Sequence, residues 1–169
     1  MNANINTTGN AGTPQGDDPN GPQLALQAVY LKDCSYEAPT GPRIEGQWNP
    51  QINLDLHTGV STISPDLREV VLTVTVSAKQ NDATLFLVEV KQAGAFLMRN
   101  LTEDDIRRAV ASVCPNVLFP YARAAVSQLV TQGGFPQFLL PPVNFDALYL
   151  RSLQDAQQQQ AQQAPAVKN

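Results

Sequence analysis

The sequence predicts an α+β domain: a four-stranded antiparallel sheet, then a long helix, then a C-terminal helix. Three observations carry this. Apolar and polar residues alternate over 69–79 and again over 85–90, with Gln80, Asn81 and Asp82 between them as a tight turn. From Cys114 to Gly134 the period becomes helical, and Leu118, Ala122, Ala125 and Leu129 fall on one stripe. After a proline-rich stretch, Phe145 to Leu153 returns to helical spacing.

Residues 1–23 are mostly Asn, Gly, Thr, Asp and Pro and read as a disordered tail. The domain proper is 24–153. Leu24, Leu26, Ala28 and Tyr30 alternate with Ala25, Gln27, Val29 and Leu31 as a first strand. Pro39 and Gly41–Pro42 then open a loop whose exit holds Trp48. Ile52, Leu54 and Leu56 mark a half-buried second strand, and Gly59 to Pro65 reads as a polar connection. Val70, Leu72, Val74, Val76 and Ala78 form one face of strand three. Phe86, Val88 and Val90 return on strand four, which Ala93–Met98 extends past a bend at Gly94. Asn100 or Thr102 caps a short helix with Glu103, Asp104 and Asp105 in its first turn and Ile106, Val110 and Val113 inward.

The long helix tolerates Pro115 and Pro120 near its start, and Gly133–Gly134 stops it. Its apolar face is wide, because Phe119, Val126 and Val130 flank the stripe. That width fits either a second subunit or a central core helix. Asn144 caps the last helix, with Leu148 and Leu153 inward. Residues 154–169 read as a flexible Gln/Ala-rich tail.

The chain has 169 residues and a net charge of −4, with a pI near 4.8. Without a basic cluster, nucleic acid and anionic membrane are poor partners. The N-terminal stretch lacks the features of a signal peptide, and no segment approaches bilayer-spanning length, so the expected location is cytoplasmic. Cys34 and Cys114 are too few for a disulfide scaffold.

Signals for catalysis are weak. His57 is the sole histidine and reads as a surface residue near a strand end. Neither cysteine has an evident basic partner or the company of further metal ligands. Gly133–Gly134 lacks the strand–glycine–helix context of a phosphate loop. The expectation is a protein that is not an enzyme and takes no cofactor or metal.

Two features point to binding. Residues 30–90 hold eight acids and four bases. In odd-numbered phase Asp33, Leu87 and Glu89 share the outer sheet face, an acidic surface around a leucine that suits a basic protein partner; the alternative is ordinary surface charge. Second, Tyr36, Trp48, Phe135, Phe138, Leu139, Leu140 and Val143 sit in or beside loops. They either cover the core or line a groove for apolar side chains, where exposed strand edges offer backbone pairing to an extended peptide.

Several long motifs carry a resemblance: Tyr30–Leu31–Lys32–Asp33 with Ser35 to Pro39, FLVEVKQAG at 86–94, CPNVLFPYAR at 114–123 and GGFPQFLLPPVNFDALY at 133–149. Over roughly 24–153 the chain closely resembles SecB, the bacterial export-chaperone family. The resemblance implies a homotetramer, a dimer of dimers with the long helix at the dimer–dimer interface through Leu118, Ala122, Val126 and Leu129. It implies ATP-independent binding of unfolded precursors in grooves, matching Tyr36, Trp48, Phe135, Phe138 and Leu140, which keeps them competent for translocation. It implies delivery to the SecA ATPase through Asp33, Glu37, Leu87 and Glu89. The short helix departs from the family: EDDIRRAVASV carries Arg107 and Arg108 near the place where close relatives carry histidine and cysteine. The competing reading is an acidic oligomeric adaptor that binds one folded partner without general chaperone activity.

Overall fold

Among the described residues, four long strands form one antiparallel sheet. β1 (Gln23–Glu37), β2 (Gln51–Ser64), β3 (Leu67–Gln80) and β4 (Ala83–Arg99) lie in the order β1-β4-β3-β2. The computed structural model describes residues 21–44 and 46–163. The tail expected over 1–23 therefore lies almost wholly outside the described residues, as does the end of the 154–169 segment.

The β3–β4 turn is as the sequence implies: Asn81 and Asp82 take positive φ values of 51° and 61°, as a tight hairpin requires. Gly59 to Ser64, expected as a connection, is instead the second half of β2. Its Thr and Ser residues pair with the start of β3 from Val71 back to Leu67, where ladder hydrogen bonds outweigh weak apolar alternation. β1 also runs further than expected and contains two register shifts against β4, leaving Gln27 and Lys32 as extra residues. Each shift exchanges the faces. Leu24 and Leu26 thus point inward while Ala28 and Tyr30 point outward, although all four share one parity in sequence. The second shift restores the original phase before Asp33.

Opposite the outer face lie the helices. α1 (Glu103–Arg108), a π-helical turn (Ala109–Val113) and α2 (Cys114–Gln132) run end to end. Thr102 caps α1 in a capping box with Asp105. The π turn carries an extra residue and shifts the helical phase, so Ala109 and Ser112 are buried while Val113, expected inward, is 39% exposed. The combined Glu103–Gln132 rod is long and apolar enough to cross a bilayer, contrary to the expectation that no segment approaches that length, but 44% of its apolar window is buried inside the fold.

Leu118, Ala122, Val126 and Val130 of α2 are fully buried against the sheet, on Val70, Leu72, Val74 and Val76 of β3 and Phe86, Val88 and Val90 of β4. α2 comes close to β4 because residue 94 is glycine: a Cβ there would lie 2.9 Å from Leu118 Cδ2 and 2.7 Å from Phe96 Cε2. After α2 the chain doubles back to α3 (Phe145–Gln163). Phe145 meets Phe119 edge-on at 5.7 Å, and Ser112 donates a 2.6 Å hydrogen bond to Asp146. Asn144 accepts from the Ala147 N–H at 2.9 Å, as its capping role predicts. α3 outlasts the expected end at Leu153 because Gln and Ala are good helix formers. Leu148 and Leu153, expected inward, are 48% and 42% exposed; Phe145 makes the packing contact instead.

On the outer face Tyr30 and Lys32 of β1 reach past Ala93 and Ala95 of β4 to Glu69 of β3, which also accepts from Ser61 of β2. This cluster ties the bulged part of β1 across the sheet.

Two tests follow from this packing. Gly94→Ala is expected to cost about 1–3 kcal/mol by overpacking, read as a lower denaturant midpoint; an unchanged midpoint would show that α2 does not depend on the glycine. Hydrogen bonds from Lys32 and then Tyr30 hold the Glu69 carboxyl below its ordinary value of 4.5. Its contribution is therefore complete above pH 4.5 and lost as pH falls through the lowered folded value. Glu69→Gln should cost about 1 kcal/mol near neutrality, and the difference should close in acid, at fixed protein concentration. A gap that persists below the folded value would contradict the assignment.

Candidate functional site

The cross-strand register brings the expected acidic residues to one surface. Asp33 lies opposite Lys91, Ser35 opposite Glu89 and Glu37 opposite Leu87. Facing residues in an antiparallel pair share a side of the sheet, so Asp33, Glu37, Leu87 and Glu89 are all outward. β3 continues these rows with Thr73, Thr75 and Ser77, and β2 adds His57, Asp55 and Asn53. Thr75 donates to Glu89 at 3.4 Å. The outer surface thus carries short hydroxyl side chains along β3, with carboxylates along its β1–β4 side.

Two charged residues that the sequence did not place on this face also belong to it. Asp55 shares a row with Glu89, separated by Thr75. Lys91 lies 3.2 Å from Asp33 and 3.2 Å from Glu89. Hydrogen bonds to Asp33 and then Glu89 hold its ammonium above the ordinary lysine range. Lys91 falls one residue beyond the stretch whose acids and bases were compared, and only the β1–β4 register shows that it faces Asp33.

The apolar residues gather at the other end of the inner face. The 38–50 and 133–144 loops meet there, where a Cβ on Gly134 would lie 3.0 Å from Pro42. Trp48 stacks at a tilt on Phe135, centroids 5.9 Å apart, and Phe135 in turn on Phe86 at 5.3 Å. Tyr36 lies over Gly133, where a Cβ would be 1.8 Å from its hydroxyl oxygen. That hydroxyl is buried without a partner, and burial pushes its pKa up.

The five residues expected in a groove therefore divide. Trp48, Tyr36 and Phe138 are half-buried and keep surface. Phe135 and Leu140 are 3% and 1% exposed and belong to the core. Leu140 in particular cannot line a groove as the fold stands: it pins the loop down, while its neighbour Leu139 is 55% exposed.

A similar correction applies to the helix. Leu118, Ala122 and Val126 are fully buried within their own subunit and cannot reach a second subunit without opening the core. Of the expected interface set only Leu129 is half-buried. The outward side of the rod carries Val113, Val117, Tyr121 and Ala124 at helical spacing, with Tyr121 50% exposed. Phe119, Val126 and Val130, which widen the stripe in sequence, are all buried within the subunit, so that width belongs to the core and the outward apolar residues are a separate set.

The candidate nucleophiles are apart and differently placed. Cys114 is buried, which pushes its thiol up to about 12, while Cys34 is exposed on β1. His57 is exposed on the outer face. Among the described residues no three His, Cys, Asp or Glu side chains are grouped as metal ligands.

Comparison with known proteins agrees with this architecture. The family model described as "Preprotein translocase subunit SecB" matches residues 17–159. The protein-export protein SecB of Pseudomonas fluorescens is 49% identical over 142 residues, 83% of this chain and 89% of that protein. Its counterpart in Hahella chejuensis is 43% identical over 152 residues, covering 89% and 96%. Among solved structures, the Mycobacterium tuberculosis SecB-like chaperone Rv1957, in complex with a ChAD peptide from the Rv1956 HigA1 antitoxin, superposes with a TM-score of 0.61. It is 17% identical and the match covers 71% of this chain and 90% of that one. With a family match over most of its length and relatives close to half identical, the chain belongs to the SecB family.

Proposed function

We propose that this protein is an ATP-independent, cytoplasmic export chaperone that holds non-native precursor segments on its apolar inner side and hands them to the SecA ATPase through its outer sheet face. The observation that carries the reading is that Tyr36, Trp48 and Phe138 each pack against the core and yet keep part of their surface, with Leu139 exposed next to Phe138, in a chain of an export-chaperone family. Aromatic faces accept many side chains without tight selection. A long unfolded chain engages several such patches at once, and each contact raises the effective concentration of the next. A folded protein cannot present those separated segments. The adaptor alternative lacks comparable support, because a single folded partner has no need of a loosely covered aromatic patch.

The outer face serves the second role. Asp33, Glu37 and Glu89 around Leu87 offer carboxylates and an apolar centre to a basic surface, which speeds and orients association.

Assembly into a homotetramer, as a dimer of dimers, completes the proposal. β1 is an edge strand whose inward Leu24, Leu26 and Leu31 remain 37%, 41% and 50% exposed. An open apolar edge of this length invites pairing with a second copy. The outward side of α2, with Val117 and Tyr121, would then join two dimers in place of the buried stripe.

Two measurements test these assignments. Trp48→Ala with Phe138→Ala should weaken binding of a labelled, unfolded precursor roughly tenfold, on the order of 1–2 kcal/mol, by fluorescence anisotropy; unchanged affinity would remove the groove. Light scattering should give a tetramer for the wild type and dimers for Val117→Asp with Tyr121→Asp, with circular dichroism unchanged. A folded wild-type monomer at micromolar concentration would refute the assembly.

A further inference from the structure

We propose that Lys91 is a built-in counter-ion of the outer face: it occupies the place between Asp33 and Glu89 that a partner's lysine or arginine takes, and so sets how tightly a basic protein surface binds there. This rests on the docking reading above.

The two carboxylates in contact with Lys91 differ in origin. Asp33 faces it across the β1–β4 ladder, and Glu89 precedes it by two residues on the same side of β4. The ammonium is thus shared at 3.2 Å by two acids that the strand register holds in place. On its other side the row continues to Thr73 and then His57, so no second acid in that row draws it away.

The pairing is also open. Side-chain exposures are 39% for Lys91, 59% for Asp33 and 38% for Glu89. Ion pairs this exposed are weak, and a lysine stem is flexible enough to swing aside. Glu69 provides the contrast within the same face. Its side chain is 13% exposed and is already engaged by Tyr30, Lys32 and Ser61, which closes it to an incoming cation. The face therefore has a sealed carboxylate at the Tyr30 end and two displaceably neutralised carboxylates beside Leu87. A docking cation finds its place at Asp33 and Glu89, at the expense of displacing Lys91.

Removing the internal cation leaves both acids without a counter-charge and increases the attraction of a basic surface. The gain is largest at low ionic strength, since exposed charges are screened by salt. Arginine at the same position keeps the charge and its fork still spans two carboxylates, so it should not reproduce the gain.

The test titrates SecA calorimetrically into the full-length oligomer at low and moderate salt, with light scattering to confirm unchanged assembly. The proteins are wild type, Lys91→Gln, Lys91→Arg and the pair Asp33→Asn with Glu89→Gln. Lys91→Gln should bind SecA roughly two- to fivefold more tightly at low salt, with the gain shrinking as salt rises. Lys91→Arg should bind no more tightly than wild type, and the double acid variant should bind more weakly. If the acid variant weakens binding but Lys91→Gln is neutral or weaker, the counter-ion role is wrong and docking through this face stands. If the acid variant leaves affinity unchanged, the docking reading fails and takes the Lys91 proposal with it.

Discussion

The close approach of α2 to β4 across Gly94 is the constraint on which the other features depend. One helix can cover only part of a four-stranded sheet, and its line of approach decides which part. With Leu118 seated beside Gly94, α2 lies over β4 and β3 and makes only slight contact with β1. The buried core is therefore central. The apolar residues of β1 are left at one margin, and the aromatic residues of the two loops at the end of the sheet where α2 stops. Both uncovered regions follow from the packing that stabilises the subunit.

This division gives a physical basis for separating two kinds of recognition. The inner side offers apolar and aromatic surface, the kind that accepts many side chains with little regard to sequence. The outer side offers fixed rows of short polar side chains and carboxylates, where charge and register set orientation. Four strands of alternating side chains lie between them, so a change on one face need not disturb the other. Lys91 and Glu69 belong wholly to the outer side, whereas Tyr36 and Trp48 belong to the inner one.

Much of this was legible in the sequence, for identifiable reasons. The valine-rich alternation of β3 and the Asn81–Asp82 turn fix a hairpin without tertiary information. The outward placement of Asp33 with Leu87 and Glu89 was readable from parity alone, but only because β1 contains two register shifts that cancel; between them, Ala28 and Tyr30 lie on the face opposite to their apparent phase. The second half of β2 was hidden because Gly, Ser and Thr signal a loop until a partner strand supplies hydrogen bonds. The direction of the α2 stripe was ambiguous because both sides of the helix carry small apolar residues; only packing shows that Leu118, Ala122 and Val126 face their own sheet. Lys91 and Asp33 are far apart in sequence, and no local pattern announces their pairing.

The proposed function requires that non-native chains bind on the inner side only. It is tested most directly by placing a photo-crosslinking amino acid at Trp48 or Phe138 and, in separate proteins, at Thr73 or Ser77 on the outer face. Each is then exposed to the same precursor in unfolded and folded form. Strong crosslinks are expected from Trp48 and Phe138 to the unfolded precursor alone, and none above background from Thr73 or Ser77. Equal labelling of folded and unfolded precursor, or labelling concentrated at Thr73 and Ser77, would contradict it.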